Sequence, residues 1–127
     1  MERVQGIGGF FFKAEDKRAL LDWYRDNLGI DVQDWGGAVF DWKSMNPNGN
    51  ANTNWSIFAG DTTYFKPGTA NFMVNFRVND LDAMLAQLRA NGCNVDDKIE
   101  EMEYGKFGWV IDPEGNKIEL WQPTDAS

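Results

Sequence analysis

One pattern in this chain is written twice, about 64 residues apart. The first copy runs through Phe10, Phe12, Asp16, Ala19, Leu20, Leu21, Tyr24, Arg25, Asn27 and Gly29. The second runs through Val74, Phe76, Asp80, Ala83, Met84, Leu85, Leu88, Arg89, Asn91 and Gly92. A later landmark recurs as well: Asn46-Pro47-Asn48-Gly49-Asn50 is answered by Asp112-Pro113-Glu114-Gly115-Asn116. A repeat unit of this length is one supersecondary module, and two copies bury their apolar faces against each other. Equivalent positions in the two halves then face a shared cavity.

Each copy reads as β-α-β-β-β. Residues 8–14 alternate, with Phe10 and Phe12 on one face and Gly9, Phe11 and Lys13 on the other. Asp16 is placed to cap a helix whose stripe is Leu20, Leu21, Tyr24 and Leu28, stopped at Gly29. Strands are expected at 31–34, 37–42 and 55–59, with a turn-rich loop at 46–54. In the second half, Val74, Phe76 and Val78 alternate with Met73, Asn75 and Arg77. Asn79 or Asp80 then caps a helix through Asn91. Strands are expected at 95–102, 106–111 and 117–122, the last two joined by the Asp112–Asn116 turn. The whole chain, 1–127, reads as one domain: a module at 4–60, a linker at 61–69 and a module at 70–123.

Composition removes several classes of function. The chain has 20 acidic and 12 basic residues, for a net charge of −8, and this disfavours nucleic acid, whose phosphates need a basic footprint. There is no histidine, so Ser-His-Asp and Cys-His catalysis and any His-based metal site are excluded. Cys93 is the one cysteine and forms no intrachain disulfide. No apolar run approaches the roughly 20 residues that span a bilayer, and no basic n-region with an apolar h-region opens the chain, so secretion is not expected. A cytoplasmic location is the simplest account.

Strand parity assigns the faces. Phe10, Phe12, Val74, Phe76 and Val78 are expected beneath the two helices. On the opposite face, Phe11, Met73, Phe107, Trp109 and Trp121 are expected to line a cavity, with Asn75 and Glu119 among them. Lys13 and Arg77 are equivalent across the repeat and could grip a carboxylate together, or could be exposed charges at strand ends. Glu119 could act as a general base, anchor a cation, or be a structural carboxylate paired with Lys13 or Arg77.

The duplicated β-α-β-β-β pattern, the Val78-x-Asp80-Leu81-Asp82 entry to the second helix, and the run Asp112-Pro113-Glu114-Gly115-Asn116-Lys117-Ile118-Glu119-Leu120 resemble the vicinal oxygen chelate superfamily. This is the group of glyoxalases, bleomycin-resistance proteins and ring-cleaving dioxygenases. The resemblance covers about residues 4–123 and implies an α+β fold: two βαβββ modules forming a curved mixed sheet around one cavity. It also implies a homodimer. In its metal-dependent members, first-strand histidines and last-strand glutamates hold a divalent metal. The resemblance carries the histidines onto Gly9 and Met73, and the second-half glutamate onto Glu119. The first-half counterpart falls at Thr53 or Ser56. One ligand of four survives, too few for a closed first shell.

The expectation is a protein with no metal and no cofactor that binds a small, partly hydrophobic molecule. Its candidate ligand-binding residues are Phe11, Lys13, Met73, Asn75, Arg77, Phe107, Trp109 and Trp121. One alternative is a glyoxalase-like lyase or isomerase using Glu119 as general acid/base. Another is a structural dimer whose cavity is filled.

Overall fold

The computed structural model describes residues 1–41 and 52–124. In chain order the elements are β1 (Val4–Ala14), α1 (Lys17–Leu28), β2 (Gly37–Asp41), β3 (Asn52–Ala59), β4 (Phe72–Val78), α2 (Leu81–Ala90), β5 (Asn94–Val95), β6 (Glu100–Met102), β7 (Gly105–Ile111) and β8 (Lys117–Pro123). The strands form one curved sheet in the order β2-β3-β1-β4-β8-β7-β5, with β6 added on β7. The sheet is mixed. β1 runs parallel to β3 and antiparallel to β4, and β4 runs parallel to β8. No helix among the described residues is long and apolar enough to cross a membrane.

The pairing of β1 with β4 carries the repeat into three dimensions. Phe10 stands opposite Val74, flanked by the pairs Gly9–Asn75 and Phe11–Met73. An offset of 64 maps Phe10 onto Val74, Gly9 onto Met73 and Phe11 onto Asn75, so this ladder is symmetric about the Phe10–Val74 pair. The same offset resolves the first-half counterpart of Glu119. Ser56 stands opposite Phe11 just as Glu119 stands opposite Asn75, and Phe11 maps onto Asn75 (11 + 64 = 75). Ser56, not Thr53, is therefore the equivalent position.

Both helices begin as their sequences dictate. Asp16 accepts a hydrogen bond from the Ala19 amide at 3.0 Å, and Asp80 accepts one from the Ala83 amide at 3.0 Å. α1 ends at Gly29, whose φ of 67° is a left-handed turn that glycine makes without strain. α2 packs closely on the sheet. A Cβ at Gly108 would lie 3.1 Å from the Leu85 side chain, so a bare backbone there lets the helix approach. Val78, Leu81, Met84, Leu85, Val110 and Leu120 form the resulting core.

Residues 52–54, expected in the loop, are instead the start of β3 and pair with β2. Three further expectations need correction. Residues 31–34 form no strand. The amide of Gln33 bonds to the carbonyl of Gly37, and that of Gly36 to Gln33, which closes a turn where extended chain was expected. The strand expected at 95–102 is broken in two. The Asp96 carboxylate accepts the Lys98 amide at 2.9 Å, and this local side-chain turn competes with the ladder. Thirdly, the helices do not cover the whole apolar face: Phe10 is 41% exposed. The Asn46–Asn50 landmark lies outside the described residues. Its counterpart is a tight hairpin turn in which Asp112 accepts from the amides of Glu114 and Asn116, each at 2.9 Å. These bonds, the one to the Asn116 side chain first, hold the Asp112 carboxyl below its ordinary value.

Candidate functional site

Glu119 and Leu120 are consecutive in β8 and point to opposite sides of the sheet. Leu120 packs under α2. Glu119 lies on the side away from the helices, 2% exposed. Phe11, Met73 and Trp109 gather there into a second core, with Asn75 beside Glu119 across β4 and β8. The register inferred from alternation is the observed one.

That face is not an empty bowl. The connection between the halves folds onto it and inserts Tyr64 and Phe65. Phe65 is 1% exposed, and the Tyr64 ring stacks on Phe58 at 5.6 Å and meets Trp109 edge-on at 6.2 Å. Lys117 donates from Nζ to the Tyr64 carbonyl at 2.6 Å, with its ammonium 4.9 Å from the Tyr64 ring centre and 5.2 Å from that of Trp109. Burial lowers the pKa of Lys117 below the ordinary lysine value.

Both oxygens of Glu119 are engaged. The Tyr64 hydroxyl donates to Oε2, Trp109 Nε1 donates to Oε2 at 3.0 Å, and Asn75 Nδ2 donates to Oε1 at 2.7 Å. Burial pushes the carboxyl above its ordinary value, while the three donors pull against that shift. The Tyr64 hydroxyl is raised well above an ordinary phenol, by burial first and by the charge of Glu119 second. The partners expected for Glu119, Lys13 and Arg77, are not the ones it has.

Lys13 and Arg77 cannot grip one carboxylate together. Arg77 stands opposite Gly6 in the ladder, seven residues along β1 from Lys13 (13 − 6 = 7). At roughly 3.3 Å per residue this separation is about 23 Å. Equivalence across a two-fold puts a pair at mirrored ends, not side by side. Lys13 lies 5.5 Å from the Phe65 ring centre. Arg77 lies 5.0 Å from the Trp121 ring centre, and Trp121 in turn stacks on Phe107 at 6.1 Å. Arg77 Nη1 is buried with no hydrogen-bond partner among the described residues, and desolvation lowers the pKa of the guanidinium. Asn75 Oδ1, likewise without a partner, leans on the backbone of Gly8, where a Cβ would collide with it.

The donor set does not suit the metal that the fold family implies. Gly9 contributes no side chain, Met73 contributes a soft thioether, and the oxygens of Glu119 are already engaged. Among the described residues no group of three or more His, Cys, Asp or Glu could hold an ion. Cys93 is exposed at the end of α2.

A second concavity lies on the helix side. It is an open groove of about 460 Å³ walled by Phe10, Phe12, Tyr24, Trp55 and Phe72. Phe10 and Phe72 stack there at 5.7 Å. Strand parity puts these rings under α1, which does not seal them: Leu21 is its one buried residue, while Trp23 and Leu28 are 51% and 61% exposed.

Sequence reasoning missed Tyr64, Phe65, Phe58 and Lys117. Two consecutive aromatics inside a Gly- and Pro-containing connection were the available signal, since such rings are costly to leave in water.

No curated protein matches the chain. Solved structures of low identity share its fold. Methylmalonyl-CoA epimerase from Mycobacterium tuberculosis superposes with a TM-score of 0.64 at 21% identity, over 97% of this chain and 91% of that one. The Streptomyces coelicolor methylmalonyl-CoA epimerase gives 0.68 at 16%, over 96% and 99%. A Mn(II)-bound glyoxalase from Novosphingobium aromaticivorans gives 0.61 at 16%, over 96% of this chain and 40% of that one. The family model described as "Glyoxalase-like domain" matches residues 9–121. The chain belongs to the Glyoxalase-like domain family, within the glyoxalase/bleomycin-resistance/dioxygenase (vicinal oxygen chelate) superfamily.

Proposed function

We propose that this chain binds a small, partly hydrophobic molecule on the aromatic-lined face of its sheet, without a metal, and holds it rather than converting it. The observation that carries this reading is the state of Glu119. A general base needs a lone pair that substrate can reach. Here both carboxylate oxygens are engaged by three protein donors, and the residue is 2% exposed. What surrounds it is ring surface, Phe11, Phe107 and Trp109 with Met73, the composition of a small-molecule site, and it is covered by Tyr64 and Phe65, so a ligand enters only where that connection moves aside. Asn75 and Arg77 supply the polar points, and Lys13 lies too far along β1 to join them. A cytoplasmic homodimer belongs to the same proposal. The exposed apolar residues Val4, Ile7, Phe10 and Phe72 support the dimer.

A second reading has one observation in its favour. Burial raises the Glu119 carboxyl, as it does for proton-transferring acids in enzymes. Several structural neighbours are epimerases by name, which would make this chain a lyase or isomerase acting through Glu119. Binding of a panel of small aromatic and aliphatic compounds, read by tryptophan fluorescence and calorimetry, separates the two. Trp121→Ala should weaken hydrophobic ligands roughly tenfold or more, about 1.4 kcal/mol, and Glu119→Gln should cost less. Turnover of any bound compound that Glu119→Gln abolishes while binding survives would replace this reading with the second.

A further inference from the structure

The protein's own Tyr64 displays the chemistry of its seat. A phenol ring lies there against Phe58 and the edge of Trp109, beneath the Lys117 ammonium, with its hydroxyl on Glu119 Oε2. The acceptor that takes its proton is itself fixed by Asn75 and Trp109. Tyr64 comes from an irregular connection, and the backbone hydrogen bonds there are short-range, such as Lys66 to Thr63 and Gly68 to Phe65. Phe65 is fully buried but Tyr64 is only partly so. Outward rotation of the Tyr64 ring would leave the buried Phe65 and the Lys117 bond to the Tyr64 carbonyl in place.

Resting on the reading above, we propose that the space filled by Tyr64 is the ligand seat, and that the molecule it takes is a small un-ionised phenol that displaces the Tyr64 ring. The selectivity follows from the acceptor. When Tyr64 leaves, Glu119 loses one of its three donors in a dry site. A phenol restores that donor and a hydrocarbon of the same shape does not. Sites built to bond a hydroxyl discriminate strongly against analogues that lack it. A phenolate would set a negative charge against the carboxylate and is rejected. Tyr64, tethered beside the seat, is a permanent internal competitor, so wild-type affinity is reduced by the fraction of time the seat is closed.

The test uses the wild-type protein with 4-methylphenol and toluene, followed by NMR of the Tyr64 ring and by hydrogen exchange across 60–70. The expected result is saturable binding of 4-methylphenol with displacement of the Tyr64 resonances, and at least tenfold weaker binding of toluene. Tyr64→Ala should bind 4-methylphenol at least tenfold more tightly than wild type. Wild-type protein that ignores 4-methylphenol up to its solubility limit, even while Tyr64→Ala binds it, would overturn the proposal, because the space would then belong permanently to the fold. Equal binding of toluene and 4-methylphenol would overturn it too. A hydrophobic compound that binds in a Trp121-dependent way without moving Tyr64 would refute the phenol seat and leave the broader binding reading standing.

Discussion

The two cores of this molecule share a sheet and are built on opposite rules. Under α2, Val78, Leu81, Leu85 and Leu120 make a dry interface of helix on strand, each exposed by 3% or less. On the other face, Phe11, Phe65, Met73 and Trp109 surround an ionisable group, and the cover is a loop. The first core is held by area removed from water, which has no direction. The second also depends on three hydrogen bonds meeting at one carboxylate, which are directional and fail singly. A helix-covered face tolerates approximate fit, whereas a buried polar network is costly when any partner is missing.

The largest expected effect tests the apolar core. Leu85→Ala should lower stability by about 2–5 kcal/mol, the range for deleting a buried leucine side chain, with nearly the same cost at every pH. Chemical denaturation across a pH series would show it. A cost below about 1 kcal/mol would mean that α2 is not the seal that Gly108 and Leu85 describe.

On the polar side, Tyr64→Phe removes one hydroxyl and leaves the ring. The expected loss is about 1–3 kcal/mol, because a buried charged acceptor is left one donor short. Were the change neutral, the Glu119 network would have to be satisfied without the loop, and the contrast between the two cores would weaken.

How readable each core was from sequence follows from the same contrast. The helix-side core shows as periodicity: Leu81, Met84, Leu85 and Leu88 recur at helical spacing, and Val74, Phe76 and Val78 alternate. The parity of Glu119 against Leu120 was equally legible, because a strand has only two faces. Of the three donors to Glu119, Asn75 and Trp109 were placed on the right face by parity, and Tyr64 was not foreseen. Tyr64 reaches it from an irregular connection, where no period relates sequence position to direction. The pairing of Lys13 with Arg77 failed for a related reason. The repeat makes the two positions equivalent, but only the antiparallel pairing of β1 with β4 says that equivalent means opposite ends. Residues 31–34 misled through composition, since the turn closed by Gln33, Gly36 and Gly37 depends on hydrogen bonds that alternation does not record.

A third effect, smaller again, separates the cores by pH. The Glu119 carboxyl lies above its ordinary value of 4.5, with burial the main cause. A group whose folded value is raised binds its proton more tightly in the fold than in the unfolded chain. Its contribution is therefore complete below the unfolded value and is lost as pH rises through the folded one. Glu119→Gln does not titrate. The stability of wild type relative to Glu119→Gln should thus fall as pH climbs from about 4.5. Asp112 shifts the other way, but it is present in both proteins and cancels. A difference that grows with rising pH would mean that the three donors outweigh burial.

The smallest effect is expected where neither kind of core is complete. Phe10 and Phe72 lie on the helix side of the sheet, 41% and 46% exposed, and stack on each other in the open groove beside α1. Val4 and Ile7 continue the strip along β1 at 44% and 56%. A ring left half in water has realised only part of its transfer free energy, so Phe10→Ser should cost the single chain less than about 1 kcal/mol. That expectation assumes the strip stays wet in solution. The proposed homodimer would remove that assumption if a second copy covered these residues. The loss on Phe10→Ser would then reach several kcal/mol and would grow with protein concentration, because it would weaken association as well as folding. Sedimentation of wild type and Phe10→Ser at two concentrations, beside denaturation at the same concentrations, separates these outcomes. A concentration-independent loss under 1 kcal/mol leaves the groove beside α1 as open surface. A concentration-dependent one makes the Phe10–Phe72 strip a third core, completed only between chains.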